Sequence, residues 1–294
     1  LAEGFLNTSS REEYPLSGLQ KFQKRFICII SGLGLLWINS VFLLFWFQDN
    51  ILYSTQTLSL ETIRRVKETV KNSQEIELNT NHTRLHGWLV KYQEKTGIPL
   101  IIYFGGQGDE ISSVVEVSER FTGCDFLAYN YRGYGLSRGQ PSEQGIFEDS
   151  LAIYDDITAQ NITDKDNIIV MGRSLGTGVA VYLAQQRKVK ALILVSPYDS
   201  ITSVAQEKLP FIPVGLINHN PFDSLSRISN IQCPLLMIIA GNDMMITNWH
   251  SQKIFKNYQG PKSSIIIKNK GHNDLMTDEL YWKAIQEFLN RVKG

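Results

Sequence analysis

From about residue 100 onward the chain keeps one rhythm: a short apolar run, a turn, then a longer stretch with apolar residues every three or four positions. The apolar runs are 100–104, 126–131, 168–171, 191–195, 235–240 and 264–268. Most are nearly continuous in hydrophobes, as strands buried on both faces must be. Helices are predicted over 111–121, 142–159, 178–187, 249–257 and 278–292. Strand–helix alternation of this kind specifies an α/β protein, with a mainly parallel sheet and helices on both faces. Before it, 74–78 and 85–90 read as strands joined by the turn-rich Asn79-Thr80-Asn81-His82, hence an antiparallel hairpin. Residues 58–70 are polar and helical in character. The rhythm breaks over 196–232, where Leu209-Pro210-Phe211-Ile212-Pro213-Val214-Gly215-Leu216-Ile217 is apolar but holds two prolines, too broken for one regular helix. It reads as a small cap.

One segment stands apart. Residues 26–47 carry no charge over 22 positions, and about 20 apolar residues suffice to cross a bilayer. A signal-peptide core is shorter and ends in small residues, whereas this run ends in Trp46-Phe47-Gln48-Asp49. We therefore read an uncleaved single-pass anchor, with Trp46 and Phe47 suited to the interface and Asn39 as one tolerated polar residue. Lys21, Lys24 and Arg25 crowd its N-terminal side, and the next basic residues are Arg64 and Arg65. The excess of basic residues places the N-terminus in the cytoplasm and the large domain on the non-cytoplasmic side. The resulting plan is a tail (1–25), a transmembrane anchor (26–47), a linker helix (48–72) and a catalytic-type domain (73–294). The chain opens on Leu1 rather than Met, which reads as a processed or trimmed start.

Composition narrows the class. Lys plus Arg equals Asp plus Glu at 29 each, so no basic excess favours nucleic acid. Cys28, Cys124 and Cys233 are too widely spaced for a zinc motif or a disulfide framework and read as inert thiols. Three N-x-Ser/Thr sites, at Asn7, Asn81 and Asn161, decide little in an Asn-rich chain.

The chemistry concentrates in Gly172-Arg173-Ser174-Leu175-Gly176. It follows a predicted strand and opens a predicted helix, the setting in which G-x-S-x-G exposes a serine on a tight turn. A serine hydroxyl needs a base to take its proton. In this arrangement the acid and then the histidine follow the serine along the chain. His272, just after the last predicted strand, is the base. Asp243, after the strand at 235–240, is the acid that orients it; Asp199 is the main rival, and Asp274 lies close to His272 in sequence. For an oxyanion, the backbone N–H of Leu175 is one donor, and Gln107, in Gly105-Gly106-Gln107-Gly108, is the second. Other chemistries lack their motifs. No P-loop occurs, and Gly133-Tyr134-Gly135 lacks the third glycine of a dinucleotide site. His82 and His86 lack the intervening Glu of a zinc helix, and His219 and His250 have no ligand-type neighbours in sequence. No cofactor and no metal are expected.

Tyr131-Arg132-Gly133-Tyr134-Gly135-x-Ser137, Gly139-x-Pro141-Ser142, the Ser174 elbow with Thr177-Gly178, Ser196-Pro197-Tyr198 and Gly271-His272-Asn273-Asp274 together resemble the membrane-anchored α/β-hydrolase domain-containing proteins. These are serine aminopeptidase-like hydrolases with lysophospholipase-like, thioesterase and esterase members. The resemblance covers about residue 73 to the C-terminus. It implies the α/β-hydrolase fold, with Ser174 as nucleophile, Asp243 as acid and His272 as base. The chain departs from the pattern twice. Gly105-Gly106 stands where His-Gly is usual, implying a looser loop. Met244-Met245-Ile246-Thr247 replaces an acidic residue and a Pro after the acid, implying a more apolar rim. The expected activity is hydrolysis of an acyl ester or thioester, lipid-like in character, through an acyl-enzyme. An amide-cleaving peptidase and a non-catalytic membrane-tethered binding protein are the alternatives.

Overall fold

Eight strands form one sheet in the order β1-β2-β4-β3-β5-β6-β7-β8. The computed structural model describes residues 18–80, 83–93 and 97–293. The first part of the tail, with Asn7, and also Asn81 and His82, lie outside the described residues. The chain opens with α1 (Gly18–Leu52) and α2 (Leu60–Thr69). The hairpin β1 (Ser73–Asn79) and β2 (Arg84–Val90) follows, with Ser73 opposite Val90. Then come β3 (Leu100–Phe104), α3 (Ser112–Val115), β4 (Asp125–Tyr129), α4 (Glu143–Ala159), β5 (Ile168–Arg173) and α5 (Leu175–Gln186). The second half is β6 (Ala191–Val195), α6 (Ile201–Lys208), α7 (Val214–Ile217), α8 (Leu225–Ile228), β7 (Leu235–Ala240), α9 (Asn248–Asn257), β8 (Lys262–Ile267) and α10 (Glu279–Lys293). β3 through β8 pair in parallel; β2 runs antiparallel to both β1 and β4.

Alternation along the strands splits the core in two. Ile168 and Val170 point to one face, where α4, α5, α8 and α9 bring Phe147, Ile153, Val179, Leu183, Ile228 and Ile254. Ile169 and Met171 point to the other, covered by α2, α3 and α10 through Val66, Val115, Trp282 and Phe288. Cross-strand neighbours therefore need a hydrophobe at every position, which is why these strands read as unbroken apolar runs. The helices start where capping side chains stand: Ser142 accepts from Gly145 N–H (3.1 Å), and Ser200 from Ser203 N–H (3.0 Å).

Three expectations differ from the structure. The helix over 111–121 is broken into α3 and a 3₁₀ turn at Ser118–Arg120. Valines at 114, 115 and 117 are stiff in a helix, and Phe121 turns inward to stack on Phe126 (5.1 Å) and meet the edge of Trp282 (5.5 Å). The helix placed at 178–187 begins at Leu175, directly after Ser174. The stretch at 48–72, read as a linker helix leading away, is instead the end of α1, a short connection and α2, and it belongs to the globular body. Residues up to Trp46 form one unit, and Phe47 onward forms the other. Within that second unit Tyr53 is buried in one core layer, and Leu58, Ile63, Val66 and Val70 in the opposite one. On α2 the apolar residues Leu60, Ile63 and Val66 recur every three positions, and the last two of them are buried.

The first unit is the apolar part of α1. Its large side chains, Ile27, Leu35 and Ile38 among them, are exposed, and the helix is long and apolar enough to cross a membrane. At 1.5 Å per residue its 35 residues extend about 52 Å, beyond the roughly 30 Å hydrocarbon core.

If α2 is part of the body, its buried and exposed positions should respond very differently to the same substitution. Val66→Asp places a charge at a fully buried position and is expected to cost about 3 kcal/mol or more. Leu60→Asp, at an exposed position of the same helix, is expected to change stability by less than about 0.5 kcal/mol. Chemical denaturation of the two variants checks this; equal midpoints would mean that α2 does not pack.

Candidate active site

Ser174 sits between the end of β5 and the start of α5, in the middle of the sheet, with φ 50° and ψ −121°. A residue with a side chain rarely holds such a positive φ. The turn is fixed because Ser174 N–H donates to Val195 O (2.9 Å) and Thr177 N–H donates back to Ser174 O (2.9 Å). The two flanking glycines are required sterically. A Cβ at Gly172 would collide with the Gly176 carbonyl, and one at Gly176 with the carbonyls of Phe104 and Gly105.

The structure brings the three expected side chains together. Ser174 Oγ lies 2.8 Å from His272 Nε2, and His272 Nδ1 lies 2.7 Å from Asp243 Oδ2. With Nδ1–H donated to the carboxylate, Nε2 is left to accept a hydrogen bond from the serine hydroxyl. All three residues are buried. The other carboxylate oxygen of Asp243 accepts the amides of Met245 (2.9 Å) and Ile246 (2.8 Å). Burial alone would raise the Asp243 carboxyl, but the bond from His272 and these amides outweigh it and hold the group below the ordinary carboxylate value.

The oxyanion loop is held more firmly than its two glycines imply. Tyr131 Oη donates to Gly105 O (2.9 Å) and Tyr134 Oη to Gln107 O (2.5 Å). Gly106 N–H donates to Asp109 Oδ2 (2.6 Å). The Gln107 side-chain amide donates to Ile51 O, so it is committed elsewhere. Among the described residues no acceptor takes the backbone N–H of Gln107 or of Leu175. Those two amides are the ones expected as oxyanion donors, while that of Gly106 is already engaged.

Arg173, the free position of the elbow, does work that the motif does not specify. Its guanidinium binds Asp109 Oδ1 (3.1 Å) and Oδ2 (2.9 Å) on the oxyanion loop. It also donates to His272 O (3.2 Å) and Asn273 Oδ1 (3.0 Å) on the histidine loop. Burial acts to lower the Arg173 basicity, but Asp109 beside it more than compensates, so the group stays charged. The strand that leads into Ser174, the loop at 105–109 and the loop that bears His272 are thus tied by one side chain. No motif announces this, because the position after the first glycine of the elbow is unconstrained. The roles of Tyr131 and Tyr134 were hidden for the same reason: their motif was visible, their hydroxyls' targets were not.

Asp199, the rival acid, is engaged elsewhere. Its Oδ1 lies 2.6 Å from His250 Nδ1, and its Oδ2 takes Lys253 Nζ (2.8 Å). His250, which lacks ligand-type neighbours in sequence, is fully buried between Asp199 and Glu207, whose Oε2 is 2.8 Å from Nε2. Glu207 also accepts from Thr247 Oγ1 (2.9 Å) and Trp249 Nε1 (3.2 Å), so α6 is latched to α9. Of the other histidines, His86 pairs with Glu75 (3.0 Å) and His219 with Asp49 (3.0 Å). Asp274 accepts Gly271 N–H (2.6 Å) and shapes the loop. Among the described residues no group of His, Cys, Asp and Glu forms a metal site. The three cysteines are free thiols, and burial pushes Cys124 and Cys233 each up to about 11.

Residues 99–218 match the family model described as the α/β hydrolase fold. An uncharacterized protein of Mycobacterium tuberculosis is 31% identical over 213 residues, covering 71% of this chain and 76% of its own. An uncharacterized membrane protein of Saccharomyces cerevisiae is 26% identical over 219 residues, covering 72% and 77%. Among solved structures, the Pyrococcus furiosus esterase Pf2001 superposes with a TM-score of 0.65 over 83% of this chain and 99% of its own, at 16% identity. The chain belongs to the α/β-hydrolase family.

The Asp199 cluster makes a pH prediction. Burial would raise the Asp199 carboxyl, but bonds from His250, Lys253 and the Ser200 amide overcome it and depress the group well below its ordinary value. An unfolded Asp takes up its proton near about pH 4, and the folded one only at lower pH. The unfolded state therefore binds more protons, and stability falls as acid is added through and below that point. Asp199→Asn is expected to flatten the acid limb by up to about 1.4 kcal/mol per pH unit. Unfolding free energies measured between about pH 5 and about pH 3 check it.

Proposed function

We propose that this protein is a membrane-tethered serine hydrolase that cleaves an acyl ester or thioester of lipid-like character. The observation that carries the reading is the unbroken relay from Asp243 through His272 to Ser174, with both bonds under 3 Å. In this mechanism His272 Nε2 takes the Ser174 proton as Oγ attacks the acyl carbonyl carbon. The carbonyl oxygen gains the electron pair and is met by the N–H groups of Leu175 and Gln107. The tetrahedral adduct collapses, the bond to the leaving oxygen or sulfur breaks, and His272 returns the proton to the leaving group. A water molecule then repeats the sequence on the acyl-enzyme, releasing the acid and restoring the serine. Asp243 keeps the imidazole in the tautomer that both steps need and offsets the positive charge on it.

An esterase among the structural neighbours supports ester chemistry. The exposed Met244 and Met245 beside the acid support an apolar substrate. The apolar helix α1 and the membrane protein of yeast among the relatives support attachment to a bilayer. Lys21, Lys24 and Arg25 before the span favour a body on the non-cytoplasmic side. A scaffold protein that had given up catalysis would have no reason to keep all three members in register.

A fluorophosphonate probe should label the full chain and leave Ser174→Ala unlabelled; labelling that survives the substitution would refute the assignment. Asp243→Asn is expected to lower kcat on a p-nitrophenyl acyl ester by about 10³–10⁴-fold.

Arg173 acts as a positioning residue. Misplacing reacting groups by about 1 Å costs on the order of 10²-fold, so Arg173→Gln should lower kcat about 10–100-fold with KM little changed. Arg173→Lys, which keeps the charge but not the forked geometry, should recover part of the loss. A change confined to KM, or a loss that tracks falling thermal stability, would show that the guanidinium does not set catalytic geometry.

A further inference from the structure

Several of the most exposed large apolar side chains of the globular body are carried by the cap and by the loop that follows β7. Phe211 is 85% exposed, Leu216 87% and Met244 82%. This display is structurally enforced. The Gln206 amide donates to Leu209 O (3.0 Å) and Ile212 O (3.0 Å), and its oxygen takes Val214 N–H (3.2 Å), which locks the turn that carries Phe211 outward. Lys208 Nζ donates to Met244 O (3.0 Å), joining the end of α6 to the loop that bears Asp243. From Lys208 to Ile217 there is no acidic residue.

The other end of the segment is tied to the residues that immediately follow the apolar span. Gln48 Nε2 donates to Ile217 O (2.9 Å), and His219 N–H donates to Gln48 Oε1 (3.1 Å). Asp49 Oδ1 accepts Asn220 Nδ2 (2.7 Å) and pairs with His219 Nε2 (3.0 Å). Gln48 is the residue after Phe47, where the uncharged run ends. Hydrogen bonds thus hold the base of the apolar segment to the point where the chain leaves the span.

We propose that residues 209–217, together with Met244, form a lipid-docking surface that enters the interfacial layer of the bilayer carrying the span. The proposal rests on residues 26–47 crossing that bilayer. A surface of this kind needs exposed aromatic and aliphatic side chains, no carboxylates and a cation at headgroup level; Phe211, Leu216, Met244 and Lys208 meet these terms. Because Met244 directly follows Asp243, the rim of the catalytic cleft then faces lipid. An acyl chain reaches Ser174 from the membrane without crossing water.

The test uses the full chain, with Cys28→Ser as background, reconstituted in phosphatidylcholine vesicles. Single substitutions Phe211→Cys, Leu216→Cys, Leu280→Cys and Ile38→Cys carry a bimane label, read against the unsubstituted background. Labels at 211 and 216 should be quenched at least twofold more by lipid bearing a nitroxide near the headgroup than the label at 280, and should be shielded from aqueous iodide. Iodide access at 211 and 216 equal to that at 280 overturns the proposal. Shielding from both quenchers also overturns it, in favour of a protein partner or second copy. The label at 38 separates the two readings. Quenching of that label by a nitroxide deeper in the acyl chain, without quenching at 211, leaves the span intact and removes the docking surface. No quenching at 38 removes the span itself.

Discussion

The conformation of Ser174 is the constraint around which the domain is organised. A non-glycine residue at φ 50° relaxes unless its neighbours prevent it. Here the preceding residue ends a strand paired on both sides, by β3 and β6, and the following residue begins a helix whose first turn is already bonded. Two glycines make the passage narrow enough that the serine has nowhere else to go. The parallel sheet serves this turn: it takes a central strand, buried on both faces, to anchor the backbone on one side while the helix pulls from the other.

Everything that meets the serine comes from the same edge of the sheet, at the C-terminal ends of β3, β5, β7 and β8, as ligand sites do in open α/β sheets. Loops there have few backbone partners, so side chains must fix them. Arg173 ties two of these loops to the elbow, Tyr131 and Tyr134 hold the oxyanion loop by its carbonyls, and the amides of Met245 and Ile246 hold Asp243. Buried ion pairs contribute little net stability, since desolvation offsets most of their attraction. Their value at Asp109–Arg173 is directional: a planar fork accepts one arrangement of carboxylate and carbonyls and resists others.

Much of this was legible in the residues. The strands β3, β6 and β7 could be read almost to the residue, because a strand buried on both faces has no polar positions to blur its ends. Ser174, His272 and Asp243 were legible because the order of motifs along the chain reflects which strand ends they occupy. Asp199 stood as a rival only because it too follows a strand; what separates them is the side-chain partner, His250 against His272, and partners are set by tertiary packing. The break between α3 and the following turn was hidden, since only the docking of Phe121 against Phe126 and Trp282 decides it. Arg173 was hidden because its bonds reach 64 and 99 residues away in sequence.

The stretch 48–72, expected as a linker helix, is largely polar, yet it supplies buried residues to both core layers. Tyr53 donates to Asn220 Oδ1 (2.9 Å), the same oxygen that takes the first amide of α4 at Glu143 (2.9 Å). Gln56 O accepts Gly135 N–H (2.7 Å) from the loop that bears Tyr134. The residues after the apolar helix are therefore bonded to the elements that hold the oxyanion loop and to those that support the cap. The first residues of the body and the loops at the C-terminal edge of the sheet thus share one hydrogen-bonded framework.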